Sequence, residues 1–153
     1  MHDLAQGPGY TRRSPATYSP RDNSYDAMRR SVRLLIIEDD YLVGLELEYH
    51  LTAAGFAVVG IAATVDEALA MTAADKPELA IVDIRLADER DGVDAAIELN
   101  ARFGIRSIFA TAHADADTRR RGEAANPIGW LQKPYTPEAL IALINETLRR
   151  RAG

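Results

Sequence analysis

Four short apolar runs in this chain each stop at a polar, chemically capable residue, and no other feature restricts its fold so much. Arg33-Leu34-Leu35-Ile36-Ile37 stops at Glu38-Asp39-Asp40, Leu79-Ala80-Ile81-Val82 at Asp83, and Ser107-Ile108-Phe109-Ala110 at Thr111. Ile128-Gly129-Trp130-Leu131 is followed, after Gln132, by Lys133-Pro134. Runs of this length without polar alternation are the pattern of strands buried on both faces. A fifth run, over 56–62, has the same character.

Longer stretches with helical spacing lie between the runs. Leu42, Leu45, Leu47, Tyr49 and Leu51 supply the apolar positions of a first helix that ends at Gly55. A second helix is predicted over 65–74, with Thr64 as its N-cap and Glu67 completing a capping box. A third spans 93–102 and is closed by Gly104; a fourth, short and polar, spans 117–124. The last spans 138–150, with Leu140, Ile141, Leu143, Ile144 and Leu148 as its apolar positions. Pro137 opens it, where a helix accepts proline. Five strands alternating with five helices predict an α/β protein, a parallel sheet covered on both faces. Such sheets hold ligands at the carboxyl ends of their strands, so the residues closing the runs are expected to share one crevice.

Composition narrows the chemistry. The chain has 153 residues, room for one ordinary domain, and 47% of them are hydrophobic, enough for a core. It has no cysteine, which excludes disulfides, thiolate metal sites and cysteine nucleophiles. Its net charge of −5 argues against nucleic acid as the main partner, since phosphate backbones are bound chiefly by Lys and Arg. Neither a bilayer-spanning apolar run nor a secretory pattern is found, so a cytoplasmic protein is the expectation. Residues 1–31, punctuated by Gly7, Pro8, Gly9, Pro15 and Pro20, show no apolar period and are predicted to be a disordered tail. Met28 offers a later start. The ordered domain is expected over 32–150, with 151–153 ending the chain and no output domain after it.

The crevice residues form a coherent set of carboxylates, one hydroxyl and one ammonium. Carboxylates this close repel unless one gains a proton or they share a cation. A site of oxygen ligands suits a hard cation such as Mg²⁺. An aspartate carboxylate is a nucleophile toward phosphorus, and phosphoryl transfer asks mainly for positioning and neutralisation of the phosphoryl oxygens. Taken singly, each residue has a plainer reading. The acidic triplet caps a helix, Asp83 is a turn residue, and Lys133 is solvated. The conjunction at four strand ends carries the functional reading.

Leu34-Leu35-Ile36-Ile37-Glu38-Asp39-Asp40, Ala80-Ile81-Val82-Asp83 and Leu131-Gln132-Lys133-Pro134-Tyr135 together resemble the receiver domains of two-component response regulators. The resemblance implies a doubly wound, flavodoxin-like sheet of strand order 2-1-3-4-5. It makes Asp83 the phosphoacceptor, and Glu38 and Asp39 the acidic pair that, with Asp83 and the backbone carbonyl of Arg85, holds Mg²⁺. Thr111 becomes the hydroxyl that moves toward the phosphoryl group, and Lys133 the family's lysine. Asp40 is expected mainly to cap the first helix.

The implied partners are a sensor histidine kinase or a histidine phosphotransfer protein, and a downstream protein. The implied activity is self-catalysed phosphotransfer and autodephosphorylation, not enzymatic turnover, and a homodimer through helices four and five is a further implication. Phe109-Ala110-Thr111-Ala112-His113-Ala114 resembles the FAT GUY subclass, which is typically single-domain and partners kinases of the HWE type. Ala112 stands where that subclass has glycine. Trp130 occupies the position of the aromatic switch, where bulk and an indole N–H that wants a partner hinder swinging. The triplets Arg119-Arg120-Arg121 and Arg149-Arg150-Arg151 are expected to be solvated helix faces, and His113 a loop residue.

Other classes fit less well. A phosphohydrolase of the haloacid-dehalogenase type needs an acid two residues after the nucleophile, where Arg85 stands. A flavin or nucleotide module would set phosphate against Glu38-Asp39-Asp40. A receiver fold retained only as an interaction module is the fourth alternative.

Overall fold

The structure, a computed structural model, describes residues 32–152. The expectations for the tail and for Met28 lie outside those residues. Within them, β1 (Arg33–Ile37), α1 (Tyr41–Ala53), β2 (Ala57–Ala62), α2 (Val65–Asp75) and β3 (Leu79–Asp83) follow one another. Then come α3 (Gly92–Phe103), β4 (Arg106–Thr111), α4 (Ala116–Glu123), β5 (Gly129–Gln132) and α5 (Pro137–Ala152).

The strands form one parallel sheet in the order β2-β1-β3-β4-β5, as the resemblance implied. The central strands β1, β3 and β4 are almost wholly buried, whereas the edge strands β2 and β5 are half-buried. Side chains alternate across a strand, so Leu35, Ile37, Val82 and Phe109 join Val65, Ala68, Val93 and Leu99 on one face. Leu34, Ile36, Ile81 and Ile108 meet Leu51, Phe56, Leu140 and Ile144 on the other. Helices α2, α3 and α4 therefore cover the first face and α1 and α5 the second.

Local signals explain the joints. Asp40 caps α1 as expected, its Oδ1 accepting from the backbone N–H of Leu42 and Val43. Gly104 closes α3 with a left-handed φ of 71°, a conformation glycine adopts without steric cost. Thr64 caps α2, but the predicted box does not close as drawn: Glu67 accepts from the N–H of Ala63, one residue before the cap. The complete box belongs to α3, where the Asp91 and Asp94 carboxylates each accept from the other's backbone N–H.

Helix α1 departs most from expectation. It buries Gly44 and Leu51 and half-buries Leu47, while Leu42, Leu45 and Tyr49 face outward with Tyr41 and Val43. Its apolar residues surround the helix instead of lining one side, so spacing alone could not pick the buried stripe. Gly44 selects it: a Cβ there would stand 2.7 Å from the Ile61 side chain. Close approach to β2 at this glycine turns Leu42 and Leu45 to the surface.

Candidate functional site

The strand register assembles the site. Ile37 lies beside Val82, which brings the next residues, Glu38 and Asp83, level across β1 and β3. Asp83 pairs with Ala110, setting Thr111 one step further along β4. Thr111 pairs with Gln132, setting Lys133 one step beyond β5. All four candidates thus meet at the carboxyl edge, and the Lys133 N–H, bonded to the Thr111 carbonyl at 2.8 Å, extends the ladder to the last of them.

The carboxylates of Glu38, Asp39 and Asp83 each offer an oxygen within 4.8 Å of the others'. Lys133 Nζ lies 3.5 Å from Asp83 Oδ2 and 3.6 Å from Glu38 Oε1. One ammonium is too little charge for three acids. Burial, and then the hydrogen bond shared with Asp83, push the Glu38 carboxyl up to about 7, against the downward pull of the Asp40 N–H and Lys133. Three oxygen donors short of positive charge fit a hard divalent cation. Arg85, whose carbonyl was the fourth expected ligand, is exposed, and its N–H donates to Asp83 Oδ1 at 3.3 Å. Burial also raises Tyr135, with the charges of Glu38 and Asp83 adding to it.

The Thr111 hydroxyl is buried and engaged in its own turn, donating to the His113 carbonyl at 3.1 Å and accepting from its N–H at 3.3 Å. His113 is exposed, as a loop residue should be. Trp130 is partly buried. Its ring packs on Phe109 with centroids 4.6 Å apart, and the guanidinium of Arg119 lies 4.9 Å from its centroid.

The first arginine triplet is therefore not simply a solvated face. Arg119 covers Trp130, and Arg121 crosses to Asp91 and Asp94; only Arg120 stays with its own helix, at Asp117. Arg121 and its two partners were missed as residues acting near the site. The acid-x-x-acid spacing of Asp91 and Asp94 at a helix start was the readable signal for the capping half of that arrangement. Nothing in the spacing announced an arginine thirty residues on.

A parallel sheet of this order, carrying an acid triad, a hydroxyl and a lysine at adjacent strand ends, defines a doubly wound α/β domain with one charged crevice at its carboxyl edge. The chain belongs to the response regulator receiver domain family, whose model matches residues 34–145. It is 34% identical over 119 residues to the phyllosphere-induced regulator PhyR of Methylorubrum extorquens, covering 77% of this chain and 44% of that protein. It is 32% identical over 118 residues to the transcriptional regulatory protein PdtaR of Mycobacterium tuberculosis, covering 77% of this chain and 57% of that one. The chain thus spans about half the length of these curated relatives. Among solved structures, a CheY-like receiver domain protein of Methanospirillum hungatei superposes with a TM-score of 0.72 at 28% identity, covering 79% of this chain and 96% of that one. The chain is accordingly a receiver domain of two-component signalling. Among the described residues no helix is long and apolar enough to cross a membrane.

Proposed function

We propose that Asp83 accepts a phosphoryl group from the phosphohistidine of a sensor histidine kinase, of the HWE type, or of a histidine phosphotransfer protein. The Asp83 carboxylate attacks phosphorus in line. The P–O bond forms as the P–N bond breaks, and the imidazole leaves with the electron pair. The product is an aspartyl phosphate. The observation that carries this reading is Lys133 poised between Asp83 and Glu38 at 3.5 and 3.6 Å, at the edge of three clustered carboxylates.

Asp83 is half-buried at the crevice floor and supplies the nucleophile. Lys133 takes charge from the transferred oxygens. Thr111 gives up its bond to the His113 carbonyl to donate to the phosphoryl group. Glu38, Asp39, Asp83 and the Arg85 carbonyl would hold Mg²⁺, which when bound neutralises phosphoryl and carboxylate charge. The outward face of α1, with Tyr41, Leu42 and Leu45 just beyond the acid pair, favours a protein donor over a small molecule, because apolar surface of this kind marks protein contact. Signalling then proceeds through protein contacts or onward relay of the group, with hydrolysis of the aspartyl phosphate as the only turnover.

The test is intact mass after exposure to acetyl phosphate with and without Mg²⁺, beside Asp83→Asn. A Mg²⁺-dependent gain of about 80 Da, one phosphoryl group, is expected in the parent chain and not in the variant. An equal gain in Asp83→Asn would place the acceptor elsewhere.

A further inference from the structure

Arg121 leaves its own helix, as Arg120 does not, and ends on carboxylates where Arg119 ends on an aromatic ring. Its Nη1 donates to Asp91 Oδ2 at 3.1 Å, and its Nη2 to Asp91 Oδ1 at 3.2 Å and Asp94 Oδ1 at 3.0 Å. Asp91 is the N-cap of α3 and the last residue of the 84–91 loop. That loop is drawn into a closed ring by the Gly92 N–H, which donates to the Ile84 carbonyl at 2.8 Å. Its opening residues border the acceptor, since the Arg85 N–H is the donor to Asp83 Oδ1. Ile84, Arg85 and Asp91 also line a cavity of about 350 Å³ together with Thr111 and His113.

We propose that Arg121 is a positioning residue for phosphoryl transfer at Asp83. From α4 it holds the 84–91 loop shut, and with it the Arg85 amide and carbonyl beside the acceptor. The inference rests on the reading of Asp83 as acceptor. Two features suit Arg121 to the task. Its guanidinium bridges two carboxylates with a planar fork, where a lysine ammonium is a point charge on a flexible stem. And the carboxylate it holds responds to it. Burial alone would raise the pKa of Asp91, but the hydrogen bond from Arg121, the Asp94 N–H and the charge of Arg121 carry it below the usual range. A loop held ready costs a ligand less ordering than one that must be closed at the moment of binding.

Beryllofluoride, a phosphoryl mimic, tests this in the full chain by fluorine NMR of the bound species as Mg²⁺ is titrated. Arg121→Gln is expected to raise the Mg²⁺ concentration at half-saturation about threefold to tenfold, the range two part-exposed ion pairs sustain. Arg121→Lys is expected to raise it less. Arg120→Gln removes the same charge from the same helix, but its partner Asp117 lies on α4 and not in the loop, so it should match the parent. Parent-like binding by Arg121→Gln would overturn the proposal, as would an equal shift in Arg120→Gln, which would make the effect one of α4 charge alone. If Arg121→Gln does not fold, Arg121→Lys against Arg120→Gln decides in the same way. A parent chain that takes up no beryllofluoride at any Mg²⁺ concentration would instead overturn the acceptor reading, and this inference with it.

Discussion

At the scale of single residues, Glu38 is where charge and burial conflict most directly. Its carboxyl titrates near 7 in the folded chain against an ordinary value of 4.5. The native state therefore keeps a proton that the unfolded chain releases between those values, and metal-free stability falls as pH rises from about 4.5 to about 7. The penalty is absent below that window and complete above it, on the order of 3 kcal/mol. Glu38→Gln cannot ionise, so urea unfolding at pH 5 and pH 8 without added metal should show a smaller drop for the variant than for the parent. Equal drops would mean that Glu38 ionises as it would in water. Mg²⁺ should stabilise the parent more at pH 8 than at pH 5, because a carboxylate must shed its proton to bind a metal.

At the scale of elements, the meeting of α3 with the end of β3 allows no side chain at Gly92. An added Cβ would press into the Asp83 carbonyl and stand 2.8 Å from Val82 Cγ1. Backbone cannot swing aside as a flexible side chain can, so Gly92→Ala should cost about 1–3 kcal/mol, the usual range for overpacking. It should also weaken beryllofluoride uptake, because the displaced atoms belong to Asp83, the proposed acceptor. Urea midpoints and fluorine NMR check the two halves. Normal stability would mean that α3 shifts freely.

Helix α1 makes the opposite case. Leu51 is fully buried and Leu42 is 76% exposed, although both read as core from their spacing. Leu51→Ala is expected to cost about 2–5 kcal/mol and Leu42→Ser within about 0.5 kcal/mol, measured by the same unfolding. Strand ends were legible because a buried strand leaves a continuous apolar run and an abrupt polar stop. The facing of α1 was not, because its apolar residues surround the helix and the deciding contact, Gly44 on Ile61, is made across sequence.

At the scale of the whole molecule, the meeting of Glu38, Asp83, Thr111 and Lys133 at one edge was legible in the sequence, since each closes or follows a strand of one parallel sheet. What spacing could not show were groupings made only in three dimensions. Arg121 bridging to Asp91 and Asp94, and Arg119 lying on Trp130, each join separate elements through long side chains whose reach no local pattern encodes. Arg119-Arg120-Arg121 read as one solvated triplet because adjacent helical residues look alike in sequence, although they point in different directions around the axis.

The stepped register across β1, β3, β4 and β5 has a consequence for molecules still being made. Lys133 follows the strand furthest along the chain, and it reaches Asp83 only after β4 has docked between them. A ribosome-bound chain that has emerged as far as β4 already displays its three acids but has no ammonium to set beside them. On the role proposed for Lys133, a chain that still lacks its last strand should take up no phosphoryl group at Asp83.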